Sequence, residues 1–187
     1  RSANYVLFVN YDDFESQIIE NIRSQDGSSI YYSGYDCDSL ALEPVSQFCE
    51  HFLHVFEMHP EAILEIRTKS TQVRCLLERA PIPNCIIAMS FSSQESTQRF
   101  EHKVPAIKKR IQTLKKLQGM GWQIAIRFEP IIFEERLTEN YRLLFEEIFH
   151  SLDVSLLHSV SLGEFRMPKT YYKNIVKLYP DEELFGR

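Results

Sequence analysis

No stretch of this sequence approaches the roughly 20 consecutive apolar residues that a membrane-spanning helix requires, and no signal-peptide pattern opens it. Glycine is scarce. There are six in 187 residues, and none forms the G-x-G-x-x-G or Walker arrangement that cradles a dinucleotide or a nucleotide phosphate. The four cysteines, Cys37, Cys49, Cys75 and Cys85, include no pair at metal-ligand spacing and suggest no secreted disulfide framework. Reduced thiols and a cytoplasmic location are the default expectation. Positive charge is not in excess: 21 Lys and Arg against 26 Asp and Glu leave −5. That removes any bulk electrostatic case for nucleic acid or an anionic membrane, and only a local basic patch keeps nucleic acid open. There is no internal repeat and no low-complexity stretch.

What is present is ordinary globular composition, 44% hydrophobic and 25% charged, enough for one domain over residues 1–187. The chain starts at Arg1 rather than Met and enters an apolar run at once, so it reads as a piece of something longer. β-rich runs are expected at Tyr5–Val9, Ser29–Ser33, Ala62–Arg67, Cys85–Ser90, Gln123–Phe128 and Val154–Val160. Helical periodicity fills the gaps at Asp12–Arg23, Pro44–His59, Thr71–Arg79, Pro105–Leu117 and Glu139–Ser151, then at Lys169–Leu178. Six strands alternating with helices predict an α/β fold with a parallel sheet, either an open doubly wound sheet or a complete or partial barrel.

Chemistry in such folds gathers at the carboxyl ends of the strands. Those ends read Asn10; Ser33 to Ser39; Arg67 to Ser70; Ser90 to Ser93; Glu129-Pro130; and Ser161 to Arg166. The set is rich in small hydroxyls with single charges and one lysine, Lys69, suited to a carboxylate or phosphate. Loop capping explains each member equally well, so the pattern alone names no reaction. His51, His54 and Glu57 share a helical face and read as solvated. The cations Lys108, Lys109, Arg110, Lys115 and Lys116 read as the exposed side of an amphipathic helix. Glu134 and Glu135 read as solvated acids. Cys49, Cys75 and Cys85 read as packing residues, and Cys37 as a loop thiol at the functional end.

The ordered segments YVLFVNYD (5–12), SGYDCDSLALE (33–43), EIRTKS (65–70), MSF (89–91) with RFE (99–101), AIRFEPI (125–131), NYRLLFEE (140–147) and HSVSLGEFRMPK (158–169) together resemble the spore photoproduct lyase family of radical S-adenosylmethionine enzymes. The resemblance covers nearly the whole chain. It implies a partial (β/α)6 TIM-like barrel of the radical S-adenosylmethionine type, here missing its first strand, so that Tyr5–Val9 would be an edge open to self-association. It also implies a [4Fe–4S] cluster held by Cys-x3-Cys-x2-Cys. That motif is absent from this sequence, and its place falls upstream of Arg1. The implied reaction is reductive cleavage of S-adenosylmethionine to a 5′-deoxyadenosyl radical that acts on a substrate, with a DNA lesion as the family's case. A piece without cluster ligands would be inactive.

Residue by residue, the resemblance assigns S-adenosylmethionine contacts to Asp38, Lys69 and Ser90, with Glu129 and its neighbours passing the adenine by backbone. Arg166 matches an arginine facing nucleic acid. One position departs from the family: where the lyase has a hydrogen-returning cysteine, this chain has Tyr35, with Cys37 two residues on. Cys37, Tyr35 or a different substrate could account for it. Two rival classes stay open. One is a non-catalytic nucleic-acid-binding module using Arg166, Lys169 and Lys173; the other is a metal-dependent hydrolase using Asp36, Asp38 and Glu129.

Overall fold

A computed structural model describes residues 7–34 and 37–185, and in it the apolar runs assemble into one sheet of five parallel strands. The strands are β1 (Ser29–Ser33), β2 (Ala62–Thr68), β3 (Cys85–Ser90), β4 (Gln123–Ile131) and β5 (Leu157–Glu164), and they lie side by side in chain order. The sheet curls into a half-barrel, so the partial-barrel expectation holds and the doubly wound alternative falls. The sixth expected strand does not form among the described residues. Leu7 to Val9 is irregular and exposed, and Tyr5 and Val6 lie outside the described residues. Among them, β1 is therefore the free edge on that side.

Helices cover one face. They are α1 (Tyr11–Ser24), α2 (Glu43–Ser46), α3 (Phe48–Glu57), α4 (Arg74–Leu77), α5 (Gln94–Phe100), α6 (Ile107–Gly119), α7 (Leu137–Ser151) and α8 (Lys169–Leu178). Strand alternation decides which residues meet them. Leu64 and Ile66, Cys85, Ile87 and Met89, and Ile124, Ile126 and Phe128 join Leu53, Phe56, Leu114, Leu117 and Ile148 in the main core. The opposite parity faces the inside of the curl, where Ile86, Ala88 and Ala125 with Ile63 form a small apolar floor.

Two differences from the expected elements have local causes. The helix expected over Pro44–His59 is broken at Gln47, whose φ of 49° is left-handed; the Glu43 carboxylate then accepts from the Cys49 and Glu50 amides at 2.8 and 3.2 Å and caps α3. Helix α5 was not expected, because QESTQRF shows no apolar stripe. Ser93 starts it by accepting from the Ser96 amide at 3.0 Å.

Candidate active site at the strand ends

The loop after β1 turns back over the end of β2. Gly34 permits this: its φ is 77°, and a Cβ there would lie 2.6 Å from the Arg67 carbonyl oxygen. Asp38 then fixes the loop. Its Oδ1 accepts from the Leu40 and Ala41 amides, both at 2.9 Å, and from the Thr68 hydroxyl at 2.6 Å; its Oδ2 accepts from the Lys69 amide at 2.6 Å. Four donors make Asp38 the pin between this loop and β2.

Beside the pin, a chain of charges runs inward. The Lys69 ammonium pairs with Oε1 of Glu101, which also accepts from the Ser92 hydroxyl at 2.7 Å. Arg110, wholly buried, donates to Glu101 Oε2 at 3.3 Å and to the Ser90 carbonyl at 2.9 Å, and lies 5.2 Å from the Phe91 ring centroid. Burial pushes the Glu101 carboxyl up, but Lys69 and Arg110 outweigh it and hold it below the ordinary carboxylate value. Lys69 is about a quarter exposed and uses one of its three donors on Glu101, so two can still turn to a ligand. Ser90 is buried at the end of β3, and its hydroxyl has no hydrogen-bond partner among the described residues.

The inner wall below is a second network. Glu65, nearly buried, takes Arg127 at 2.6 Å on one oxygen and Arg67 at 2.8 Å on the other. Arg67 reaches on to Glu129 at 3.0 Å, Ser161 donates to Glu129, and Arg127 donates to Ser159 at 3.0 Å. Burial raises the Glu65 carboxyl, and the two arginines overcome that and lower it. Gly163 leaves room for Glu129, since a Cβ there would sit 2.9 Å from its Cγ.

Of the expected site residues, Asp38, Lys69, Ser90 and Glu129 all lie at the ends of adjacent strands. Lys69 and Ser90 retain donors for a ligand, whereas the carboxylates of Asp38 and Glu129 are engaged within the protein. Cys37 is exposed on the pinned loop, and Arg166 is exposed between β5 and α8. Tyr35 and Asp36 lie outside the described residues. Asp38 and Glu129 therefore gather no metal-binding set with another described acid, and the hydrolase reading gains nothing.

Two expectations are corrected. Arg110 is not on the solvated side of its helix, because position 110 continues the 107, 111, 114, 117 stripe, and its charge is matched by Glu101. Glu134 is not solvated: it is buried and accepts from Ser93, Ser96 and Asn140. On α3, His54 and Glu57 are exposed, in line with the solvated reading of that face, and His51 faces Glu15 at 2.9 Å while Glu57 faces Arg79 at 2.7 Å. Sequence reading also missed Glu101 and Arg127 as members of the site. The shared parity of Glu65 and Arg67 in β2 was the signal for a charged inner wall.

The family model described as spore photoproduct lyase matches residues 2–185. No curated protein matches the chain. Among solved structures, a double mutant of spore photoproduct lyase with bound AdoMet and dinucleoside spore photoproduct superposes at TM-score 0.85 and 20% identity, covering 95% of this chain and 53% of that one. The lyase complexed with dinucleoside spore photoproduct gives TM-score 0.83, 19% identity and the same coverages. The chain thus spans about half the length of these structures. Among the described residues no helix is long and apolar enough to cross a membrane.

Proposed function

The chain belongs to the spore photoproduct lyase family, and from that premise we propose that it is the S-adenosylmethionine-binding part of a cytoplasmic radical enzyme whose substrate is a nucleic-acid lesion. The observation that carries the proposal is the pairing of a half-buried Lys69 with a hydroxyl-bearing Ser90 at the ends of neighbouring strands, β2 and β3. A methionyl carboxylate needs donors of that kind. Glu101 holds the Lys69 ammonium at the strand ends, and Arg110 in turn holds Glu101 and the Ser90 carbonyl, so the anchor is fixed before a ligand arrives.

When bound, S-adenosylmethionine supplies one-electron hydrogen-abstraction chemistry that no side chain can provide. The described residues do not fit the iron–sulfur cluster: Cys37 is the one described cysteine in the strand-end loops, and the others lie on α3, on α4 and at the start of β3. Asp38 acts here as the loop's pin, which sets where Cys37 stands as hydrogen donor; Tyr35 is its rival for that role. Arg166 with Lys169 and Lys173, all exposed, forms the strip that would meet nucleic-acid phosphates.

The test is calorimetric binding of S-adenosylmethionine, followed by release of 5′-deoxyadenosine from a reduced, iron–sulfur-loaded protein extended upstream of Arg1 by a Cys-x3-Cys-x2-Cys segment. Lys69→Met should weaken binding about 30-fold or more, from the roughly 2–5 kcal/mol cost of removing one partner of a desolvated charge pair. Equal affinity in Lys69→Met sinks the residue assignment. The extended, loaded wild type releasing no 5′-deoxyadenosine sinks the chemistry.

A further inference from the structure

Three ligand-bearing side chains far apart in sequence converge away from the residues used above. Cys49 at the start of α3 and Glu43 at the start of α2 are buried, and Cys75 on α4 is half-buried. Their two sulfurs and the carboxylate oxygen lie within 4.8 Å of one another. We propose that Glu43, Cys49 and Cys75 form a site for a thiophilic divalent cation of the zinc type, clasping α2, α3 and α4 together.

The donor set fits that class. Two sulfurs and one oxygen suit a borderline-soft d10 ion and disfavour calcium or magnesium. Sulfurs around a tetrahedral zinc sit about 3.8 Å apart, from Zn–S bonds of roughly 2.3 Å, so small shifts complete the site. Binding breaks both S–H bonds, forms two metal–sulfur bonds and releases two protons to solvent, with no change in oxidation state. With Glu43 ionised, exchanging two protons for one dication leaves the charge of this buried spot unaltered, so no new net charge is desolvated. Cys49 lies in the first turn of α3, and neighbouring Cys75 together with burial pushes its thiol up, so the metal must displace its proton. Glu43 accepts from the Cys49 and Glu50 amides, which orients its carboxylate. The half-exposed side of Cys75 offers an entry path and room for a water as fourth ligand.

The test uses the reduced, chelator-stripped chain titrated with Co²⁺ and then displaced by Zn²⁺. One equivalent of Co²⁺ should give thiolate-to-cobalt absorption in the near ultraviolet with tetrahedral visible bands. Cys75→Ala should abolish these, Glu43→Gln should weaken binding at least tenfold, and Cys37→Ala should leave them intact. Absent bands in wild type, bands surviving Cys75→Ala, or bands lost with Cys37→Ala overturn the proposal. Should Cys75→Ala fail to fold, wild type decides the matter by alkylation and mass spectrometry. Zn²⁺ must then protect Cys49 and Cys75, and an unchanged alkylation rate at Cys75 overturns the site.

Discussion

Replacing Arg110 with Met keeps the length and apolar contacts of the side chain while deleting its charge, and the structure sets what that should cost. Breaking a buried ion pair by removing one partner costs about 3–5 kcal/mol. Arg110 is wholly buried, and its loss strips a donor from the Ser90 carbonyl and one from Glu101. Glu101 keeps Lys69 and Ser92, so the expected loss sits at the low end, about 3 kcal/mol. With a urea m-value near 3 kcal/mol/M for a chain of this size, the midpoint should fall by about 1 M. Lys108→Met, exposed one turn-edge away, should shift stability by no more than ~0.5 kcal/mol. Combining Arg110→Met with Glu101→Gln should cost clearly less than the sum of the two, because each single change strands the other's buried group. Urea unfolding of the four variants measures all of this. Arg110→Met behaving like Lys108→Met, or strictly additive costs, would refute the reading of Arg110 as the buried root of the Lys69 anchor.

Two further outcomes follow from the same networks. Asp38→Ala should destabilise the fold by about 2 kcal/mol, since hydrogen bonds to a charged group contribute roughly 1.5–3 kcal/mol. The Leu40 and Lys69 amides should then exchange faster by hydrogen–deuterium mass spectrometry; unchanged exchange would contradict the pin. Glu65 and Glu101 are both lowered in the folded state. Their stabilisation is thus complete above the ordinary carboxylate value of about 4.3 and is lost as pH falls through their lower folded values. Thermal unfolding from pH 6 to 3 should show this decline, and Glu65→Gln together with Glu101→Gln should flatten it.

Much of the architecture was legible because short apolar runs and amphipathic stretches obey different periods. β1, β3 and α8 fall where their patterns place them, and the strand ends bring together Lys69 and Ser90, the proposed anchor residues. Val154–Val160 was placed too early, because a 3₁₀ turn over Val154–Leu156 precedes the strand. Residues whose role depends on a distant partner were hidden. Arg110 looks like one more lysine-rich surface position until Glu101, supplied by the segment after α5, is brought beneath it. Cys49 and Cys75 are 26 residues apart, and only the packing of α4 against α3 joins them. Glu134 gave no signal at all, because its three donors come from α5 and its preceding residue and from α7.

The alternation of each strand has a consequence for how this protein can change. Odd and even positions of β2 through β4 belong to different environments: Leu64 and Ile66 to the helix layer, Glu65 and Arg67 to the inner wall. One stretch of chain therefore carries two interleaved texts, the first constrained by volume and the second by charge. Inner-wall residues can be exchanged in compensating pairs without repacking a single helix. The same interleaving punishes a register slip of one residue in β2, which would drive Glu65 and Arg67 into the apolar layer together. Variation in this fold should thus arrive by substitution in the strands and by insertion only in the loops between them.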